Sequence, residues 1–241
     1  MLSIICAYNK SELMENLKES LQKQKNISYE YIPIDAQSYG FKSASETLNF
    51  AGKKARGEYL IFTHQDVVFE EDDCLKKIED WCKENKFGIA GVAGCVNQKG
   101  KSVMYSNIYH GKSHEKACDK KIVVPKEVES LDECLLIVPQ RIFKNYQFSN
   151  IGESWHLYGT DYVLKMKMNG YKSFVLPVSI WHLSQGASMN IDYYESIYSI
   201  ARLYKKQMKT ITTIYGVWPT DIVSLGIKCI YRKLRFLLKG R

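Results

Sequence analysis

Polar side chains follow three short apolar runs in the first third of the sequence. Asn9 and Asp35 each close one such run, and the segment His64-Gln65-Asp66 directly follows another. A carboxylate at the end of a strand can hold a divalent cation, which then acts as a Lewis acid on a phosphate group. The alternative for Asp66 is an aspartate that only stabilises a turn or caps a helix. The pattern therefore indicates either a phosphate-directed metal site or a structural turn.

The apolar pattern also predicts the elements that position these side chains. Leu2 to Ala7, Tyr31 to Asp35 and Tyr59 to Phe62 are typical of buried strands, and Phe87 to Val96 predicts a fourth. Leucines and alanines at helical spacing lie between them. Strands that alternate with helices predict an α/β fold with a mainly parallel sheet flanked by helices. Ligands bind at the carboxyl ends of such strands, where these polar residues fall.

The second half of the chain has a different pattern. Polar and basic residues from Asn97 to Lys121 predict loops or a hairpin. A helix from about Thr160 to Asn169 and a strand from Phe174 to Ile180 follow, and the residues from Ile191 onward look helical and rich in aromatic side chains. Because no repeat or low-complexity linker interrupts the sequence, we expect one continuous domain with a helical C-terminal tail.

Composition narrows the class of partner. The 34 Lys and Arg against 26 Asp and Glu give a net charge of +8, which favours phosphate-bearing ligands, anionic lipid or nucleic acid. No nucleic-acid-reading motif is present, so we expect no nucleic acid partner. The seven cysteines have no pairing pattern, and we find neither a signal peptide nor a long apolar stretch. These features predict a cytoplasmic protein with reduced thiols.

Three segments, in this order, resemble the GT-A glycosyltransferases of family 2, particularly their short bacterial members. They are "SIICAYN", "LNFAGKKARGEYLIFTHQDV" and "WHLYGTDYVLKMKMNGYKSFVLPVSIWH". The resemblance covers about residues 1–186 and implies a single Rossmann-like GT-A domain. Residues 1–97 would form its nucleotide-sugar-binding half and residues 98–186 its acceptor-binding half, which leaves 187–241 as the tail.

The resemblance implies roles for residues on the donor side. Ala7, Tyr8 and Asn9 would border the nucleotide of a nucleotide-sugar donor. Asp35 would bind the base or ribose, and Asn49 would help to shape the donor pocket.

The resemblance also implies a metal site and a catalytic base. Asp66 matches the second acid of the family's DXD motif, and His182 matches a later histidine that completes the metal shell. The implied cofactor is a divalent metal, Mn²⁺ or Mg²⁺. His64 replaces the first acid of the motif and favours Mn²⁺, because imidazole is a poor ligand for Mg²⁺. Asp161 matches the base of inverting members, which implies a single displacement at the anomeric carbon.

Several of these residues have structural alternatives. Asp161 could cap its helix, and His182 could be a hydrogen-bonded core histidine. Trp155 and His156 could stack on an acceptor sugar or serve only in packing.

Two further acids belong to the expected acceptor-binding half. Asp132 and Glu133 precede an apolar run, and we interpret them as a solvated turn rather than as contacts to acceptor hydroxyl groups.

The resemblance implies a hexosyltransferase-type glycosyltransferase that moves a sugar from a nucleotide-sugar donor to a saccharide or lipid-linked acceptor in surface polysaccharide synthesis. One alternative is an inactive GT-A domain that acts as a binding or scaffold module, since His64 replaces an acid. The other is a nucleotidyltransferase. The turn "CAYNKSE" argues against it, because such enzymes carry a Gly-rich basic loop after the first strand.

The tail combines apolar and basic residues at near-helical spacing. The apolar set is Ile222, Leu225, Ile227, Ile230, Leu234, Phe236, Leu237 and Leu238, and the basic set is Lys228, Arg232, Lys233, Arg235, Lys239 and Arg241. This pattern is typical of a helix that lies in a membrane interface, where each basic side chain adds about 1 kcal/mol of attraction to an anionic leaflet. We therefore expect peripheral binding to the inner face of the plasma membrane, with a helix docked on the domain as the alternative.

Overall fold

The computed structural model describes residues 1–119, 121–184 and 191–238, and for residues 191 and 236–238 it describes the backbone alone. The predicted α/β fold, with a central sheet flanked by helices and a helical C-terminal segment, is confirmed. The expected domain boundary at residues 186 and 187 lies outside the described residues, as do Lys239 and Arg241. The side chains of Phe236, Leu237 and Leu238 also lie outside them.

The described residues form seven helices and sixteen strands. The helices are α1 Ser11–Gln22, α2 Ala44–Lys54, α3 Cys74–Glu84, α4 Gln140–Asn145, α5 Tyr158–Met168, α6 Ile191–Tyr204 and α7 Ile222–Leu238. The first strands are β1 Leu2–Tyr8, β2 Tyr29–Asp35, β3 Tyr59–His64, β4 Val67–Phe69, β5 Ile89–Gly91, β6 Ala93–Gln98, β7 Lys101–Ser106 and β8 Ile108–His110. The later strands are β9 Glu115–Lys116, β10 Lys126–Glu127, β11 Ser130–Leu131, β12 Leu135–Pro139, β13 Ser173–Val175, β14 Ile180–His182, β15 Thr210–Thr213 and β16 Gly216–Pro219.

The central sheet has the strand order β10-β13-β5-β12-β3-β1-β2. β1 pairs in parallel with β2 and β3, but β12 is antiparallel to both β3 and β5. The sheet is therefore mixed where the sequence pattern predicted a mainly parallel one. Because β12 runs against its neighbours, the residues that precede it lie at the edge where β1 and β3 end.

Two predicted single strands each divide between sheets. Phe87 to Val96 contains β5 in the central sheet and β6 in a second sheet, with the order β11-β6-β7. Phe174 to Ile180 contains β13 and the first residue of β14, which belongs to a third sheet with the order β4-β14-β8-β9. A continuous apolar run predicts burial but does not show where the chain leaves one sheet for the next. The polar segment from Asn97 supplies β7, β8 and β9, in agreement with the predicted hairpin alternative.

Alternate residues of the central strands fill two apolar cores, one on each face of the sheet. Ile4 and Ile61 belong to one core, and Ile5 and Leu60 belong to the other. This alternation follows from the period of two in a strand, and residues that are buried on both faces give the continuous apolar runs seen in the sequence.

The tail contributes a third apolar cluster of its own. Trp218 and Tyr193 are its largest fully buried members, and Leu157 and Leu164 of the preceding domain pack into the same cluster. The predicted helical tail contains α6 and α7, but the hairpin β15–β16 lies between them. None of the helices in the described ranges is long and apolar enough to cross a membrane.

Candidate active site

A cavity of about 840 Å³ opens where β1 and β3 end. Its wall includes the residues that follow both strands, the segment before β12, the start of α5 and part of the tail hairpin. The volume lies within the usual range for small-molecule and cofactor sites.

The loop after β1 is fixed to the loop after β3 by one side chain. The Gln65 side-chain oxygen accepts hydrogen bonds from the backbone N–H groups of Asn9 and Lys10, at 3.1 and 2.9 Å. Its amide group donates to Asn9 Oδ1 at 2.8 Å. Ala7, Tyr8 and Asn9, which the resemblance assigns to the donor side, line the cavity. The role of Gln65 was not predicted, since an isolated glutamine in a turn gives no signal by itself.

Two residues that the resemblance assigns to the donor side make hydrogen bonds within the fold. Asp35 forms a turn in which its carboxylate accepts hydrogen bonds from the backbone N–H of Gln37 and the hydroxyl of Ser38. These bonds, of which the one from the Ser38 hydroxyl has the largest effect, hold the pKa of Asp35 below its usual value. Asn49 exchanges hydrogen bonds with the backbone of Phe148, at 2.9 and 3.0 Å. In the described part of the chain neither side chain lines the cavity, although Gln37, next to Asp35, does.

His64, Asp66 and His182 form a cluster at one end of the cavity. One candidate ligand atom from each lies within 4.8 Å of the others, and His182 Nε2 is 3.3 Å from Asp66 Oδ1. His64 is the last residue of β3, and Asp66 lies in the turn that follows. The pairing of β14 with β4 places His182 beside them. The sequence predicted all three members, and the structure brings them together.

The charges in this cluster are coupled. Burial alone would raise the pKa of Asp66, but the hydrogen bond from His182 and the nearby imidazoles hold it well below its usual value. Burial lowers the pKa of His182, whereas its hydrogen bond to Asp66 more than offsets this and raises it. Burial and the neighbouring His182 lower the pKa of His64, which favours the neutral imidazole that binds metals.

The candidate ligands in this cluster fit a transition metal. One carboxylate and two imidazole nitrogens suit a divalent first-row transition metal, whereas Mg²⁺ prefers oxygen ligands. The hydroxyl of Ser184 lies beside the cluster, 3.2 Å from His182 Nε2, and Ser184 also lines the cavity.

Asp132 and Glu133, which the sequence pattern led us to interpret as a solvated turn, line the cavity. They immediately precede β12, in which Leu135 lies opposite Thr63, and the backbone N–H of His64 donates to Cys134 at 3.0 Å. The antiparallel strand therefore brings both acids to the edge that carries the metal cluster. Burial, followed by the charge of Asp132, raises the pKa of Glu133 to about 8.

The part of the cavity wall that carries Asp132 and Glu133, here called the acidic wall, packs against the start of α5. The N–H of Gly159 donates to Glu133 Oε1 at 3.2 Å, and the hydroxyl of Tyr158 lies 3.3 Å from the Glu133 carbonyl oxygen and 3.4 Å from His64 Nε2. Leu157, which precedes the helix, has φ of 62°, a left-handed conformation that is unfavourable for a residue with a side chain. A strained residue at this point sets the direction in which the helix enters the cavity wall.

The predicted acceptor residues Trp155 and His156 both line the cavity, and Trp155 is 44% exposed. The tail faces the same space through Tyr193, Thr213 and Tyr215. This contribution was missed, because the tail carries a sequence pattern typical of a membrane-interface helix and no signal for a binding wall.

Asp161 does not line the cavity in the described part of the chain. It is fully buried, and its Oδ1 accepts a hydrogen bond from the Tyr204 hydroxyl of α6 at 3.0 Å. Its Oδ2 has no hydrogen-bond partner among the described residues. The geometry therefore gives Asp161 a structural contact between α5 and the tail.

We expect Tyr204→Phe to lower the free energy of unfolding by about 1–3 kcal/mol, because it leaves the buried Asp161 carboxylate without its donor. Chemical denaturation measures the change. Tyr231→Phe is the matched control, since Tyr231 is 62% exposed and should give no measurable change. Equal stability of the two variants would contradict a structural role for the Tyr204 contact.

Comparisons with known proteins identify the family and the fold of the chain. Residues 3–206 match the sequence model of a family described as "Glycosyltransferase like family". A curated protein of Fuscovulum blasticum, "ATP synthase subunits region ORF 6", is 26% identical over 174 residues, which are 70% of this chain and 67% of that protein.

Two solved structures have the same fold. The first is a mannosyltransferase from Pyrobaculum calidifontis in complex with GDP-Man and Mn²⁺, with a TM-score of 0.57, 12% identity and 86% of this chain covered. The second is S. aureus TarS 1–349 in complex with UDP-GlcNAc, with a TM-score of 0.58, 15% identity and 83% covered. The chain spans 65% of the length of each. The chain belongs to the glycosyltransferase-like family, and it has the GT-A fold.

Proposed function

We propose that the protein transfers a sugar from a nucleotide-sugar donor to a hydroxyl group of a saccharide or lipid-linked acceptor, as a hexosyltransferase of surface polysaccharide synthesis. The observation that carries this proposal is the composition of one cavity. It joins the loop after β1, the cluster of His64, Asp66 and His182, and a wall of acids and aromatic residues. The complexes of structural neighbours with GDP-Man and UDP-GlcNAc support a nucleotide-sugar donor.

The proposed reaction is a single displacement that inverts the anomeric carbon. The acceptor oxygen attacks this carbon, and the bond from the carbon to the diphosphate breaks with its electron pair on the phosphate oxygen. A divalent cation held by His64, Asp66 and His182 would stabilise the negative charge on the departing diphosphate. The loop of Tyr8 and Asn9 would hold the nucleotide, and a carboxylate on the cavity wall would take the acceptor proton.

We expect the purified protein to hydrolyse one class of nucleotide sugar in the presence of Mn²⁺, more slowly with Mg²⁺ and not with EDTA, because two of the three candidate ligands are imidazoles. The measurement is nucleotide release from UDP-, GDP-, CMP- and dTDP-sugars under each metal condition. Absence of both turnover and nucleotide binding across the panel would reject the transferase and support the scaffold alternative. Release of pyrophosphate from a nucleoside triphosphate and a sugar phosphate would instead identify a nucleotidyltransferase.

The proposed membrane partner is an anionic leaflet that contacts the outer face of α7, with the protein on the cytoplasmic side. Val223, Ile227, Ile230, Tyr231 and Leu234 follow helical spacing on this face and are between 53% and 71% exposed. The net charge of +8 supports an anionic surface as the partner.

The basic residues of α7 do not all face outward with the apolar ones. Lys228 donates to the carbonyl oxygen of Val217, and the Arg232 guanidinium lies 4.7 Å from the centre of the Trp218 ring. These two side chains help to dock the helix, so the apolar residues carry more of the proposed membrane contact than the sequence pattern implied.

Ile227→Asp is expected to weaken binding to vesicles that contain phosphatidylglycerol by about 10-fold or more, because an isoleucine that is 65% exposed no longer enters the lipid. Co-sedimentation measures the binding. Leu203→Asp is the control, since Leu203 is 53% exposed but lies on α6. Equal binding by the wild type and Ile227→Asp would contradict the proposed contact.

A further inference from the structure

The cavity contains three carboxylates, and only two of them are available to take a proton from an acceptor. Among the described residues that line it, the acids are Asp66, Asp132 and Glu133. Asp66 belongs to the candidate metal cluster, and the pairing with His182 keeps it anionic. The choice of base within the cavity therefore lies between Asp132 and Glu133.

These two acids differ in the hydrogen bonds that their carboxylates accept. Asp132 Oδ1 accepts from the N–H of Cys134 at 2.9 Å, so this carboxylate stabilises its own turn. Asp132 also lies near the imidazoles, since its charge raises the pKa of His182. The Asp132 carboxylate is therefore engaged by its own turn and by the charges of the metal cluster.

Glu133 is held from the opposite side, by the first turn of α5. Gly159 donates its N–H to Oε1, and a Cβ at position 159 would lie only 3.2 Å from that oxygen. The glycine therefore leaves room for the carboxylate against the start of the helix. The same turn follows the predicted acceptor residues Trp155 and His156. Its Tyr158 hydroxyl contacts both the Glu133 carbonyl oxygen and His64 Nε2, so Glu133 lies near the metal cluster as well.

We propose that Glu133 is the general base of the transfer reaction, in place of Asp161, and this inference rests on the proposed function. Glu133 accepts the proton of the acceptor hydroxyl as the acceptor oxygen bonds to the anomeric carbon. The electron pair of the broken bond leaves on the nucleoside diphosphate, and protonated Glu133 then returns its proton to water. Asp161 keeps its contact with Tyr204 and holds α5 against the tail.

The surroundings of Glu133 suit this role. Burial and the charge of Asp132 raise its pKa to about 8, close to neutral pH, where a general base is most effective. Other titratable groups of the described chain that face it are the Tyr158 hydroxyl with His64 beyond it, the neighbouring Cys134 thiol and, from the tail, the Tyr193 hydroxyl. The Gly159 N–H favours the charged carboxylate, which limits the rise in the pKa.

Glu133→Gln tests the proposal through Mn²⁺-dependent hydrolysis of the nucleotide sugar that the wild type turns over, with water in the place of the acceptor. We expect kcat to fall about 10²- to 10⁴-fold, the usual contribution of a general base, with the dissociation constant of the donor unchanged. The wild-type rate should rise with pH as Glu133 loses its proton, and this rise should disappear in Glu133→Gln. Glu133→Asp should retain part of both the rate and the pH dependence.

The controls separate this inference from the proposed function. Glu127→Gln, at an exposed glutamate paired with Lys172, should match the wild type. Asp161→Asn should reduce stability and keep kcat within about tenfold of the wild type. An active wild type with an equally active Glu133→Gln, or a folded Asp161→Asn that loses more than 100-fold, would overturn the assignment of Glu133 alone. A wild type that neither binds nor hydrolyses any nucleotide sugar would overturn the proposed function as well.

Discussion

Asp66→Asn is expected to reduce kcat/KM for donor turnover by about 10³-fold or more and to weaken Mn²⁺ binding. Asp66 is the only carboxylate in the cluster with His64 and His182, as far as the described chain shows, and its low pKa keeps it charged at neutral pH. Asparagine has nearly the same shape but no negative charge. The loss corresponds to several kcal/mol of charge stabilisation at the departing diphosphate.

Two measurements besides activity test the same variant. Calorimetry with Mn²⁺ alone measures the metal affinity directly. In the wild type Asp66 raises the pKa of His182 against the effect of burial, so the pKa of this histidine, followed by NMR, should fall in Asp66→Asn. The control is Asp72→Asn, which removes an exposed charge paired with Lys25 and should change none of these quantities. Wild-type Mn²⁺ affinity in Asp66→Asn would exclude the cluster as the metal site.

The part of the site that could be predicted from the sequence lies at the ends of parallel strands. Leu2–Tyr8 and Tyr59–His64 are continuous apolar runs, so their ends are easy to locate, and such ends meet at one edge of a sheet. His64, Asp66 and the loop of Asn9 follow from this rule. The resemblance added His182, whose position depends on the pairing of β14 with β4 and could not be inferred from local pattern.

The acidic wall could not be predicted from the rule that sites lie at the carboxyl ends of parallel strands. For an antiparallel strand such as β12, the residues at that edge of the sheet precede the strand instead of following it. Residues before a parallel strand lie far from a site at the carboxyl ends, and on that basis Asp132 and Glu133 look like a solvated turn. The apolar pattern of Leu135–Pro139 does not indicate that β12 is antiparallel to both of its neighbours. Strand direction depends on long-range pairing, which apolar periodicity does not show.

The resemblance also assigned site roles to three residues whose side chains have partners in the fold. Asp35 ends β2, Asn49 lies within α2 and Asp161 lies in the first turn of α5, and each makes a hydrogen bond within the chain. Buried polar groups need such partners, so a polar residue near a site often stabilises the scaffold. The partner of Asp161 is Tyr204, which lies 43 positions along the chain in the tail.

Trp218→Ala is expected to lower the free energy of unfolding by about 3–5 kcal/mol, because it removes the largest side chain of the tail cluster from a fully buried position. The indole N–H donates to Thr213 Oγ1 at 3.0 Å, and Tyr193 lies 2.8 Å from the same hydroxyl. Both partners line the cavity, so we also expect donor turnover to fall about 10-fold or more, since small displacements of a wall are costly in catalysis.

Trp81→Ala is the matched control for this variant. Trp81 is a partly buried tryptophan that packs on Phe87 beside another core, away from the wall of the active-site cavity. It should lower stability without lowering turnover at temperatures where the protein remains folded. A loss of turnover in both variants would mean that stability alone, and not the wall formed by the tail, accounts for the effect.

The shape of the unfolding transition in Trp218→Ala tests whether the tail is a separate unit. The sequence pattern places a boundary near residue 186, whereas Leu157 and Leu164 pack into the tail cluster and Thr212 hydrogen-bonds Glu129 at 2.9 Å. These contacts predict that the tail and the sheet unfold together, in one transition at lower denaturant concentration. An early transition of the tail alone, with Mn²⁺ and nucleotide binding retained, would instead support an independent tail on a complete donor-binding domain.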